Sequence, residues 1–104
     1  MFELSVGTYS IEVHDGKLPE TYAEYLRHAQ LKVENDLKDR QGRVAFCAVT
    51  RQENRPFLVI ARRYSPAGSG FRPGVLLAAE TEILFFGAGT QLMAFDLQTP
   101  RPLW

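Results

Sequence analysis

Two runs in the middle of the chain, 43–50 and 57–61, are apolar on both faces of the strands they would form. In the first, Ala45, Cys47 and Val49 take one side, and Val44, Phe46 and Ala48 the other. In the second, Phe57 and Val59 oppose Leu58 and Ile60. Side chains alternate along a strand, so a strand with one wet face carries a polar residue at every second position. These two do not, and both of their faces need a cover. One helix cannot supply that much, so the pattern asks for a second sheet or a second subunit.

The flanking segments supply the other pieces. Phe2, Leu4 and Val6 alternate with polar residues, as do Tyr9, Ile11 and Val13, which predicts two half-buried strands. Their phase slips at Gly7-Thr8, where a bulge or tight turn belongs, and Asp15-Gly16 reads as a turn. Tyr22, Tyr25, Leu26, Ala29 and Val33 fall on one helical stripe, so a helix is expected over 20–30, with Pro19 in its first turn. Leu37 would extend the stripe and Gly42 would cap it, whereas 30–34 also alternates as a strand; both readings stay open. Strands are predicted at 75–79, 83–86 and 92–97, turning at Glu80-Thr81 and at 87–90, where glycines accommodate positive φ. The polar run 51–56 and the run 64–73 read as loops. The tail 98–102 holds two prolines and is not expected to continue a ladder. The expected fold is a single α+β domain over residues 1–104. It is mostly antiparallel β, a bent sheet or small sandwich, with one helix near residues 20–30.

Phe86-Gly87, the run Leu92-Met93-Ala94-Phe95-Asp96-Leu97, Thr99 and the closing Leu103-Trp104 together resemble a single blade of the quinoprotein type of β-propeller. The resemblance covers about 30 of 104 residues and implies local strands with the terminal Trp104 packed back on the preceding hairpin. Pro100 replaces the turn glycine of that repeat, and one copy cannot close a propeller, which takes at least about four blades. No ligand is carried over from it. The Gly-Ala-Gly-Thr step at 87–90 is also similar to one shared by small bacterial proteins.

Twelve basic and twelve acidic residues cancel, and a dedicated nucleic-acid binder normally shows a basic excess. No run approaches the roughly 18 apolar residues of a membrane span. Cys47 is the only cysteine, which excludes an internal disulfide and suits a reducing compartment. A cytoplasmic protein is expected, without nucleic-acid or membrane partners.

Candidate chemistry is sparse. His14 and His28 are the only histidines, and neither has a ligand at metal-site spacing; no metal and no cofactor are expected. Cys47 lies in an apolar strand, unlike a reactive thiol. The glycine-rich 65–70 run lacks the Gly-Lys-Ser/Thr ending of a phosphate loop. Glu80 and Glu82 would share a strand face, and Glu20 and Glu24 a helix face, with nothing in sequence to separate their pKa values. No catalytic residue is assigned. A binding role fits best at Arg62, Arg63, Tyr64, Phe71 and Arg72, where three arginines and two aromatics surround one loop. Arginine offers bidentate donors, and Arg, Tyr and Phe are enriched at protein interfaces. The functional expectation is a non-catalytic, self-associating binding or assembly module of a bacterial cytoplasm. The alternatives are a small enzyme or ligand binder with a pocket near 62–72, and an inhibitor or immunity-type protein.

Overall fold

A computed structural model describes residues 2–35, 43–51, 56–64, 71–78, 80–89 and 91–103. The expectations for the 65–70 run, for most of the 51–56 loop and for Trp104 lie outside the described residues.

The first sheet holds β1 (Phe2–Val6), β2 (Tyr9–Gly16), β3 (Leu31–Asn35), β4 (Arg43–Arg51) and β5 (Leu58–Tyr64), in the order β1-β2-β4-β5-β3. All its pairings are antiparallel except β3 with β5, which is parallel. The second sheet is a meander of β6 (Phe71–Ala78), β7 (Ile83–Gly89), β8 (Gln91–Asp96) and β9 (Arg101–Pro102). The helix α1 (Tyr22–His28) crosses from β2 to β3.

This topology answers the demand made by the doubly apolar strands. β2 and β3 run parallel with β4 and β5 between them, so α1 has to pass over β4 and β5. Beneath it lie Phe46, Ala48, Val59 and Ala61, packed against Leu18, Tyr22, Tyr25 and Leu26. The alanines leave room for the tyrosine rings. The other face of the same strands, with Ala45, Cys47, Val49, Leu58 and Ile60, joins Tyr9, Ile11 and Val13 against Leu84, Phe86, Ala88, Phe95 and Leu97 of the second sheet and its final turn. The result is three layers, helix on sheet on sheet. Both covers come from this one chain.

The helix is shorter than the expected 20–30. The amides of Gln30 and Leu31 both donate to the Phe57 carbonyl, at 2.9 and 3.0 Å, and that draws the chain into β3. Seven residues, with no side-chain cap at Thr21, have too little helical stability of their own to resist. The segment from 31 to 35 is therefore strand, and Val33 belongs to the inter-sheet core rather than to the helical stripe. The slip at Gly7-Thr8 is a two-residue hairpin turn, with Gly7 at φ 59°.

The tail corrects a second expectation. Arg101 and Pro102 pair with Asp96 and Phe95, and the Leu103 amide donates to the Ala94 carbonyl at 2.8 Å. Proline is tolerated because β9 is an edge strand, where one side of the ladder has no neighbour to bond. No helix among the described residues is long and apolar enough to cross a membrane.

Cys47 is fully buried, and burial, with the nearby Glu12 charge as a lesser cause, pushes its thiol far up from the ordinary value. A thiol reagent added to native protein is expected to label Cys47 orders of magnitude more slowly than free cysteine. Labelling at the free rate would contradict this packing.

Candidate functional site

Strand alternation sets where the residues of the expected arginine cluster lie. Arg62, Arg63 and Tyr64 lie on β5, not in a loop. Arg62 (5% exposed) and Tyr64 point to the same side as Ile60, into the space between the sheets, while Arg63 points to the opposite face. Phe71 and Arg72 open β6 in the other sheet, with Phe71 opposite Gly89. The three residues of β5 do not converge on one surface.

Among the described residues, and besides the Glu12–His14–Tyr25 group under α1, the fold brings together two polar clusters, one at each end of the sandwich. At the first end, the Tyr64 hydroxyl donates to Asp15 Oδ1, and Arg43 Nε reaches the same oxygen at 3.1 Å. Burial and the Asp15 carboxylate raise the Tyr64 pKa, so its proton stays in place. Gly89, at φ 66°, lies so close that a Cβ there would be 3.1 Å from Tyr64 Cβ. A side chain there would strain the backbone and press on Tyr64, which suits glycine.

The second cluster crosses between the sheets. The Tyr9 hydroxyl donates to Glu82 Oε1 at 2.6 Å and accepts from Arg51 Nη2 at 3.2 Å. Arg51 also donates to the Leu97 carbonyl, and Gln98 Nε2 donates to Glu82 Oε2. The Arg51 guanidinium lies 5.3 Å from the centroid of the Tyr9 ring and 5.0 Å from that of Phe57. Such cation–π contacts add to the hydrogen bonds. Glu82 itself has φ 54°, the one positive φ outside glycine among the described residues. A non-glycine residue in that region is strained and persists only where its surroundings fix it. Here the Glu82 carbonyl also accepts from the Leu97 amide at 3.0 Å.

A recess of about 240 Å³ opens beside this cluster, lined by Val6, Gly7, Thr8, Tyr9, Leu77 and Glu82. Its one carboxylate is held below the ordinary value, first by the Tyr9 hydrogen bond and then by Gln98. A carboxylate held ionised in this way is a poor general acid. Its donors come from both sheets, and its job is to fasten them. Glu80 and Glu82 fall in the turn before β7 rather than on one strand face.

Because the folded-state pKa of Glu82 lies below its unfolded value near 4.5, its contribution is complete above that pH and is lost as pH falls through the folded value. Glu82→Gln is therefore expected to be less stable than wild type at neutral pH, with the difference vanishing in acid. Urea titrations at neutral and acidic pH check this, and a constant difference at both would contradict it.

His14 is half-buried on the face covered by α1, where its Nε2 lies 2.6 Å from Glu12 Oε2 and its ring meets the edge of Phe46. Among the described residues no group of three or more His, Cys, Asp or Glu side chains is arranged to hold a metal ion.

The remaining surface of note is the outer face of the second sheet. Its register gives three rows, Gly74–Gly87–Leu92, Leu76–Phe85–Ala94 and Ala78–Ile83–Asp96. Leu76 is 66% exposed and Leu92 53%. The charged pair Arg101–Asp96, at 3.5 Å, lies at one end. Strands 75–79 and 83–86 read as apolar on both faces in the sequence, and the structure leaves Leu76 of the first strongly exposed, with Leu92 beside it on β8.

Comparisons with protein families, with curated proteins and with solved structures returned no match.

Proposed function

We infer that the chain is a non-catalytic binding and assembly module that associates with itself through the outer face of its second sheet. The observation that carries this reading is the pair of exposed leucines, Leu76 and Leu92, on a sheet face whose three rows hold one charged residue, Asp96. Single exposed leucines are ordinary on a protein surface. Two of them on one small face, beside the partly exposed Ile83 and Ala78 and flanking a half-buried Phe85 and a fully buried Ala94, are wetted by water at a cost. The glycines leave the face shallow, and the Leu92 side chain leans over Gly87, whose Cβ would lie 3.3 Å from Leu92 Cδ1. Exposed leucines on a shallow sheet face suit another protein surface better than a small molecule, which needs a concave site.

The polar clusters support the non-catalytic half of the reading. Tyr9, Arg51, Glu82 and Gln98 hold one another across the two sheets, and Asp15, Arg43 and Tyr64 do so within one. Of the doubly apolar strands expected at 44–49, 57–61, 75–79 and 83–86, the first two do not support self-association, because helix and second sheet cover them within the chain. The exposed face takes over that role.

Replacing Leu76 and Leu92 together by glutamate is expected to move the protein to smaller species in light scattering. At a concentration that keeps both proteins monomeric, the melting temperature should stay close to that of wild type, because both side chains face water in the single chain. Unchanged size distributions in wild type and variant would remove the basis of the reading.

A further inference from the structure

We propose a second self-contact, separate from the apolar face: β1 of one copy pairs antiparallel with β1 of another across a twofold axis at Leu4, joining two five-stranded sheets into one. The inference begins with the way each sheet edge is finished. An open edge presents unpaired amides and carbonyls, and proteins guard such edges with charges, prolines, bulges or brevity. Among the described residues, β3 guards its edge with exposed Lys32 and Glu34. β6 carries an irregular register between Phe71 and Gly74, with Pro73 inside it. β9 is two residues long and includes Pro102. β1 has none of these devices apart from Glu3, and it pairs with β2 in unbroken register from Phe2 to Val6.

The hydrogen-bond phase says which groups β1 offers. The Leu31 amide donates to the Phe57 carbonyl, so in the parallel pair Leu31 turns its backbone groups toward β5. Alternation then turns Leu58 and Ile60 toward β4, Ser10 and Glu12 of β2 toward β4, and Tyr9, Ile11 and Val13 toward β1. A two-residue hairpin closing on a bonded Val6–Tyr9 pair gives the same phase. Phe2, Leu4 and Val6 are therefore bonded inward, and the backbone groups of Glu3 and Ser5 point out of the sheet.

Twofold pairing must match these outward residues with one another. Glu3 opposite Glu3 of the other copy sets like charges face to face, which is unfavourable. Ser5 opposite Ser5 leaves Glu3 across from Gly7. Glu3 opposite Ser5, and Ser5 opposite Glu3, uses all the outward groups and sets each carboxylate against a hydroxyl donor. The axis then falls at Leu4, and Phe2, 42% exposed in the single chain, lies opposite Val6 of the other copy on the apolar side. A twofold contact of this kind is self-complementary and closes on itself.

The Leu76→Glu/Leu92→Glu protein isolates this contact from the one on the second sheet. It is expected to sediment as a dimer at high concentration, and adding Ser5→Pro is expected to leave a monomer. Proline is tolerated at position 5 because its lost amide bonds nothing within the chain, and far-UV circular dichroism checks the fold. In the same background the Glu3 and Ser5 amides should exchange more slowly at high than at low concentration, whereas the Leu4 amide, bonded to β2, should not change. Ser5→Lys is expected to tighten the dimer several-fold, by setting a lysine opposite each Glu3, a gain that a misfolded variant cannot produce. A monomer at every concentration in the Leu76→Glu/Leu92→Glu protein would overturn the edge contact while leaving the face reading intact. A dimer that Ser5→Lys weakens would overturn the register.

Discussion

Phe46→Ala is expected to destabilise the protein by about 3–5 kcal/mol, the usual range for truncating a fully buried phenylalanine. Phe46 is completely buried beneath α1. Its ring meets Tyr22 at 5.8 Å edge-on, Tyr25 at 6.2 Å stacked and His14 at 5.5 Å edge-on. The seven-residue α1 buries no side chain fully and has no side-chain cap, so these contacts hold it in place. The loss would consume much of the total stability of a small domain, roughly 5–15 kcal/mol. It should appear as a drop in melting temperature of roughly 12 °C or more. Thermal unfolding followed by circular dichroism checks both the size of the drop and the loss of helical signal. A drop of only a few degrees would mean that α1 does not rest on Phe46.

Ile60→Asp is expected to do more, leaving the chain unfolded at neutral pH. Ile60 lies on the opposite side of the same sheet, fully buried, across from Cys47 on β4 and beneath the second sheet. The substitution removes an aliphatic side chain from the core, a loss of about 2–5 kcal/mol. It also strands a carboxylate away from water, at a further cost of several kcal/mol. Leu76→Asp, measured at a concentration that keeps the protein monomeric, provides the contrast, since its side chain is two-thirds exposed in the single chain and the change should fall within about 0.5 kcal/mol. Urea titrations of the two variants separate a buried strand face from an open one. A folded Ile60→Asp with native stability would contradict the packing of the second sheet on β5.

These two substitutions probe the part of the fold that was most legible in the sequence. The double apolar pattern of β4 and β5 demanded two covers, and both are present. What periodicity could not decide was the segment after the helix. Tyr22, Tyr25, Leu26, Ala29 and Val33 fit a helical stripe, but a tertiary bond from the Leu31 amide to the Phe57 carbonyl determines that β3 begins there. That bond joins residues far apart in the chain, and local spacing carries no trace of it.

The same reason hid the inter-sheet cluster. Tyr9 and Glu82 are 73 positions apart, and Arg51 lies 46 positions from Leu97. Nothing in the composition around any of them marks a common site. The arginines singled out by their proximity, Arg62 and Arg63, are neighbours in sequence and on opposite faces in space. Adjacency along a strand separates side chains, whereas register between strands unites them. The strained Glu82 likewise has no local signal, because its positive φ is imposed by the bonds to Tyr9, Gln98 and Leu97.

Among the described residues, the second sheet turns Leu76 and Leu92 outward, whereas the helix covers the far side of β4 and β5. That asymmetry is the basis for the proposed assembly role, and sedimentation velocity over a wide concentration range tests it most directly. Wild-type protein is expected to show species heavier than the 11.8 kDa chain at micromolar concentration, and these should recede when Leu76 and Leu92 are both glutamate. A single 11.8 kDa species at every concentration would contradict the account.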